Sequence, residues 1–210
     1  MTTRPTGLRA FPLFFIVLGG TAAFAHQGEH PPAPDPSHAE ARAAPADSGV
    51  VVSRPGGQDT LFAFDDLAQF LLDGEDTEGT MTLAIATTEP GKGPPPHYHV
   101  EDDEVFIVLE GRAGIFDGEE RIEATPGTAV FVPKGTVHHF VNLSETEPLR
   151  MIVGLFPGKG FKTMFEEAAV EFARPGGPDL AKVAAIAAAH GVELVPPSPP
   201  SPESAHRMDP

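Results

Sequence analysis

From Thr60 to Pro157, short β-branched and aromatic runs alternate with Gly and Pro punctuation. TLFAF, GTMTLAIATT, EVFIVLEG, RAGIF, ERIEA, AVFVP, HHFVNL and LRMIVGLF each read as strands. The turn signals between them fall at the spacing of a β-sandwich or barrel. No βαβ rhythm runs through the series, which argues against a parallel α/β sheet. The segment DDLAQFLLDGEDT breaks the series, and Asp65 to Leu72 is expected to form a short helix or loop over one barrel end.

After Gly160 the period changes. FKTMFEEAAVEFARPGGPDLAKVAAIAAAHG reads as two helices, with Leu180, Val183, Ile186 and Ala187 on one apolar face. Pro178 suits a first helical position and Gly191 a stop, so the second helix is expected from Pro178 to His190. The helices are expected to pack on the outside of the barrel, or alternatively to form a homodimer contact. The fold class that follows is all-β: a barrel over residues 58–157 with a helical extension over 158–194.

The two ends are of other kinds. Arg4 and Arg9 precede a short apolar run that ends in Ala23-Phe24-Ala25, the pattern of a secretory signal peptide cleaved after Ala25. Pro12, Gly19, Gly20 and Thr21 interrupt the run, so no stable membrane anchor is expected after cleavage. The expected location is periplasmic or extracellular. Residues 26–57 and 195–210 are rich in Pro, Ala and charge, and read as a disordered linker and tail. Cleavage would leave His26 at a new N-terminus, where its amine and imidazole could chelate copper. His30 and His38 lie nearby, and the preferred reading of all three is solvated linker histidines.

Charge and cysteine count narrow the function. The net charge is −16, and residues 1–25 hold two arginines and no acid, so the mature chain is more negative still. Such a chain is repelled by nucleic acid and by anionic surfaces. It has no cysteine, so neither a disulfide nor a lipid-modified cysteine is available. The domain must hold together through its core and any metal.

The candidate chemistry lies in two stretches. In GPPPHYHVEDDEVFIVLEG, His97 and His99 stand two apart, so on a strand they share a face while Tyr98 points away. An HxH pair alone more often marks a polar outer face than a metal site. Glu104 begins the next strand and shares a face with Phe106 and Val108. A carboxylate there needs a partner, because a buried unpaired charge is costly. Glu101, Asp102 and Asp103 are expected in the intervening turn, solvated. In GTAVFVPKGTVHHFVN, alternation puts His138, Phe140 and Asn142 on one face and His139 on the other. His138 is therefore the ligand candidate, and His139 is left an exposed or packing role.

Together these stretches resemble the two motifs of the cupin superfamily. Gly91, His97, His99, Glu104 and Gly111 match the first, and Gly127, Pro133, Gly135, His138 and Asn142 the second. The resemblance implies a double-stranded β-helix of the jelly-roll type. It also implies one divalent transition metal held by His97, His99, Glu104 and His138. Such N/O ligation suits Fe, Mn, Ni, Co or Cu without choosing among them. GPPPHYHVEDDEVFIVLEG followed by an FEE helix is most similar to small single-domain cupins grouped with flavonol (quercetin) dioxygenases. That likeness implies a small enolic or phenolic substrate on the metal, Glu104 as base, and an apolar pocket that Phe106, Phe131 and Phe140 could line. The alternative is a cupin that only binds a metal or small ligand.

Overall fold

The computed structural model describes residues 49–196 apart from residue 119. The expected signal peptide, the His26 site and most of the expected linker and tail lie outside the described residues. Eleven strands and two helices follow in order among the described residues. The first strands are β1 (Thr60–Ala63), β2 (Asp66–Leu72), β3 (Thr82–Thr88) and β4 (His97–His99). Next come β5 (Asp103–Glu110), β6 (Ala113–Asp117), β7 (Glu120–Ala124) and β8 (Ala129–Val132). Then β9 (His138–Asn142), β10 (Leu149–Phe156), α1 (Phe161–Phe172), α2 (Leu180–Ala189) and β11 (Val192–Leu194) complete the chain.

The strands form two antiparallel sheets, β1-β2-β3-β10-β5-β8 and β11-β4-β9-β6-β7. This is the double-sheet jelly roll expected, with helices at its C-terminal end. Strict alternation builds the core. Glu104, Phe106 and Val108 of β5 are buried, as are His138, Phe140 and Asn142 of β9. Leu149, Met151 and Leu155 of β10 join Phe106, Val108, Ile115 and Phe140 in one apolar cluster.

Three expectations need correction. Asp66–Leu72 is a strand, paired with β1 on one side and β3 on the other, and not a helix or loop. Its alternation of buried Asp66, Ala68 and Phe70 with outward Leu67 and Gln69 explains why. The second helix begins at Leu180, because the Asp179 side chain accepts hydrogen bonds from the Ala181 and Lys182 amides as its N-cap. Finally, the expected helical extension ends in a strand: β11 pairs with β4, opposing Val192 to His99 and Leu194 to His97.

A second apolar cluster joins the β1–β2 hairpin to the helices. Phe64 and Phe70 meet Phe165 of α1, each at 5.6 Å between ring centroids. Met164 and Ala168 of α1 and Val183 and Ala187 of α2 complete it. Burying each large side chain contributes on the order of 1.5–3 kcal/mol. The helices thus face the strand hairpin, with β11 laid along the histidine-bearing β4. No helix among the described residues is long and apolar enough to cross a membrane.

Candidate metal centre

The four candidate side chains converge. Ligand atoms of His97, His99, Glu104 and His138 all lie within 4.8 Å of one another, and all four residues are buried. Backbone register brings them there. His97 of β4 faces His138 of β9 as a register partner, and the i, i+2 spacing puts His99 on the same face as His97. Glu104 arrives from the opposite sheet on β5.

Two glycines make the close approach possible. Gly93 lies against β9 so tightly that a Cβ there would stand 1.9 Å from the Phe140 carbonyl oxygen. Gly135, at φ 79°, turns the loop before β9 and donates its amide to the His99 carbonyl at 2.8 Å. The second motif is thereby fastened to the first. Asn142 finishes the frame, donating from Nδ2 to the carbonyls of Thr88 and Glu147 and accepting from the Ser144 amide.

The ring orientations are set by carbonyls two residues back. His97 Nδ1 lies 2.9 Å from the Pro95 carbonyl, and His138 Nδ1 lies 2.9 Å from the Thr136 carbonyl. Each Nδ1–H donates there, which leaves Nε2 for the cluster. His138 Nε2 is 2.7 Å from Glu104 Oε2. His99 Nε2 is 3.2 Å from the same oxygen but lacks hydrogen-bonding geometry. Both His99 ring nitrogens are buried with no hydrogen-bond partner among the described residues. Buried polar atoms are rarely left so.

Protonation follows from these neighbours. Burial, then the adjacent His138, holds His97 down to about 3, so it is neutral at ordinary pH. Burial alone would raise the Glu104 carboxyl, yet His99 and His138 outweigh it and hold it below the usual carboxylate range. For His138, burial lowers the imidazole but the Glu104 hydrogen bond and charge prevail, raising it. An ionised carboxylate, a neutral imidazole and an unpartnered imidazole are the donor forms a divalent cation takes. The residues fit one metal ion of imidazole-and-carboxylate preference.

Other sequence-selected residues fall elsewhere. His139 points out of the barrel and stacks on Phe116 at 4.4 Å, 3° from parallel. Phe106 and Phe140 belong to the core beneath the cluster, with Phe106 edge-on to His138 at 6.0 Å. Phe131 is 61% exposed, because alternation along β8 turns its neighbours Val130 and Val132 inward instead. None of the three lines the cavity beside the cluster. The acidic turn is also less solvated than expected. Asp102 is buried, accepts from the Gly158 amide at 2.8 Å, and sits 4.0 Å from His99 Nδ1. Asp103 accepts from the Lys134 amide at 2.9 Å.

That cavity takes His97 and Glu104 as part of its wall. Phe161, Met164 and Phe165 of α1 and Val192 and Leu194 of β11 form an apolar side. Phe64, Asp66 and Ala68 of the β1–β2 hairpin form another. Local alternation did not reveal these residues, since they come from segments far apart in sequence. The one available signal was Ala68–Gln69–Phe70 alternation, which marks a strand but not what it faces.

Residues 84–154 match the family model described as Cupin domain. An uncharacterized protein of Streptomyces coelicolor is 37% identical over 89 residues, covering 42% of this chain and 77% of that protein. The glucose-6-phosphate isomerase of Thermococcus litoralis is 31% identical over 114 residues, covering 47% of this chain. The chain spans 59% of that enzyme's length. Among solved structures, an RmlC-like cupin from Shewanella frigidimarina is 17% identical with a TM-score of 0.46, covering 53% of this chain and 94% of that chain.

Proposed function

The chain belongs to the cupin superfamily, and from that premise we propose that it is a mononuclear metal enzyme of the oxygenase type. Its substrate is a small, uncharged enol or phenol. The observation that carries this reading is the cavity: a buried three-histidine, one-carboxylate cluster opens onto walls of Phe, Met, Val and Leu. Such a pocket takes an apolar ring or chain and presents its oxygen to the cluster.

The chemistry a divalent transition metal supplies in such a site is polarisation of an enol or phenol oxygen and an open position for dioxygen. The protein's own residues do the rest. Glu104, the cluster carboxylate that also lines the cavity, is the base that takes the substrate's hydroxyl proton. His97 and His138, tied back through Nδ1, keep the cluster's geometry while that proton moves. The α1 and β11 side chains exclude water from the apolar part of the substrate.

Isomerisation of a sugar phosphate, the activity named for the Thermococcus relative, suits this cavity poorly. None of the described lining residues is Lys or Arg, so apart from the metal itself a phosphate dianion would find only Asp66 and Glu104 as charged neighbours. Export belongs to the same proposal, and N-terminal sequencing of the mature protein would find His26 first if it holds.

Dioxygen uptake tests the reaction. Metal-loaded protein supplied with a flavonol or a simple enol is expected to consume dioxygen, and Glu104→Gln to abolish consumption. Retention of metal without turnover of any such compound would make the protein a binder instead.

A further inference from the structure

Asp66 is the one cavity-lining acid outside the metal cluster among the described residues. It is 5% exposed, at the first position of β2. Its Oδ1 accepts from the Thr88 hydroxyl across the β2–β3 pair. Oδ2 has no hydrogen-bond partner among the described residues and is left to the cavity. No cation among the described residues neutralises it: Lys92 is near Asp65 instead, at 4.0 Å, with both side chains about half exposed. Buried carboxyls are normally satisfied by partners, and this one keeps half of its capacity open.

The backbone holds Asp66 there at a cost. The β1–β2 connection is a two-residue loop, since Ala63 and Asp66 are register partners. Its residues Phe64 and Asp65 both have positive φ, 55° and 64°. Loops of this type favour Asn and Gly, whereas here a buried Phe occupies the left-handed region. Phe64 lines the same cavity, so the strained turn sets one apolar and one acidic side chain into the wall together.

We propose that Asp66 is a substrate-recognition residue: the site takes small neutral molecules with two oxygen functions, one at the metal cluster and the other hydrogen-bonded by the Asp66 carboxyl. This rests on the reading of the site as one for neutral enols or phenols, and it narrows that class. The charged and titratable groups facing Asp66 agree with a neutral ligand. Burial pushes its carboxyl up to about 7 against the pull of Thr88, and the negative charges of Asp65 and Glu104 add to that. His97, in the same wall, is neutral. Away from the metal an anionic group would meet only acids, whereas a hydroxyl can both donate to and accept from this carboxyl.

The test compares phenol with resorcinol and hydroquinone, whose second hydroxyl cannot chelate the ion that holds the first. Affinities are measured by ligand-observed NMR on the full chain loaded with Zn(II). At least one dihydroxy compound is expected to bind about tenfold more tightly than phenol. Asp66→Leu should erase that advantage with phenol binding retained, and Asp66→Asn, which keeps a donor and an acceptor, should restore most of it. If Asp66→Leu does not fold, Asp66→Ala carries the test by removing the carboxyl, with the same loss of advantage expected. No advantage in the wild type, or one that survives these variants, overturns the role of Asp66 while phenol binding still upholds the reading of the site. Failure of all three phenols to bind overturns that reading and this assignment with it.

Discussion

His97 and His138 face each other as register partners across β4 and β9, and each ties its Nδ1 to the carbonyl two residues behind it. Two separate sequence motifs therefore use one device to aim Nε2 at the same point. The Pro94–Pro96 run has a definite part in this, because its restricted backbone holds the Pro95 carbonyl under His97.

His99 lacks such a tie, and an Asp102 carboxylate oxygen lies 4.0 Å from its Nδ1. Asp102→Asn is expected to lower metal affinity roughly 10-fold, toward the lower end of what outer partners of ligating histidines contribute. Competition against a chromogenic chelator measures it. An unchanged affinity would mean that Asp102 serves only the Gly158 amide.

Metal removal should destabilise the domain. At a free-ion concentration 100-fold above the dissociation constant, binding contributes about 2.7 kcal/mol. For a domain of this size that corresponds to a fall in Tm of roughly 5–10 °C when a chelator is added. Differential scanning calorimetry with and without chelator checks it.

Cavity shape and metal binding should separate. Phe161 lines the cavity but contributes no ligand atom to the cluster. Phe161→Ala is expected to leave metal affinity unchanged and to weaken binding of an apolar phenol by about tenfold, the scale of a lost hydrophobic contact. Titration of metal and phenol on the same sample distinguishes the two effects.

Acid sensitivity should trace to Lys162, which reaches Asp59 at 2.7 Å and Asp73 at 3.1 Å. Burial alone would raise Asp73, but Lys162 and the Asp76 and Glu75 amides outweigh it and hold it below its usual value. A carboxyl so lowered contributes stability that is fully present above its unfolded value of about 3.9 and is lost as pH falls through the folded one. Lys162→Met should cost about 1–3 kcal/mol at pH 7 and flatten the slope of stability below pH ~4. Urea unfolding across that range measures both.

The faces of the candidate ligands were legible because alternation is a local rule, while the four-ligand set came from the resemblance to the two cupin motifs. Glu104 shares its face with Phe106, and His138 with Phe140, whatever the rest of the chain does. The eight strands read from β-branched runs are present for the same reason. The cavity was not legible, because its walls are tertiary. Phe161 and Leu194 come from the C-terminal extension and Asp66 from the N-terminal hairpin, all outside residues 84–154 that carry the family match. Phe131 shows the limit from the other side: an aromatic residue in a motif strand looks like a pocket residue until its neighbours take the inward positions. The short strand β11 was hidden too, since three residues after a helix carry no periodicity of their own.

His97, His99, Glu104 and His138 are expected to hold one metal ion. Elemental analysis of the protein purified from its native compartment tests it most directly, with His138→Ala measured alongside. One transition-metal ion per chain is expected in the wild type and a near-complete loss in the variant, with the far-ultraviolet circular dichroism of both unchanged. Correctly folded wild-type protein without stoichiometric metal, or metal that persists in His138→Ala, would contradict it.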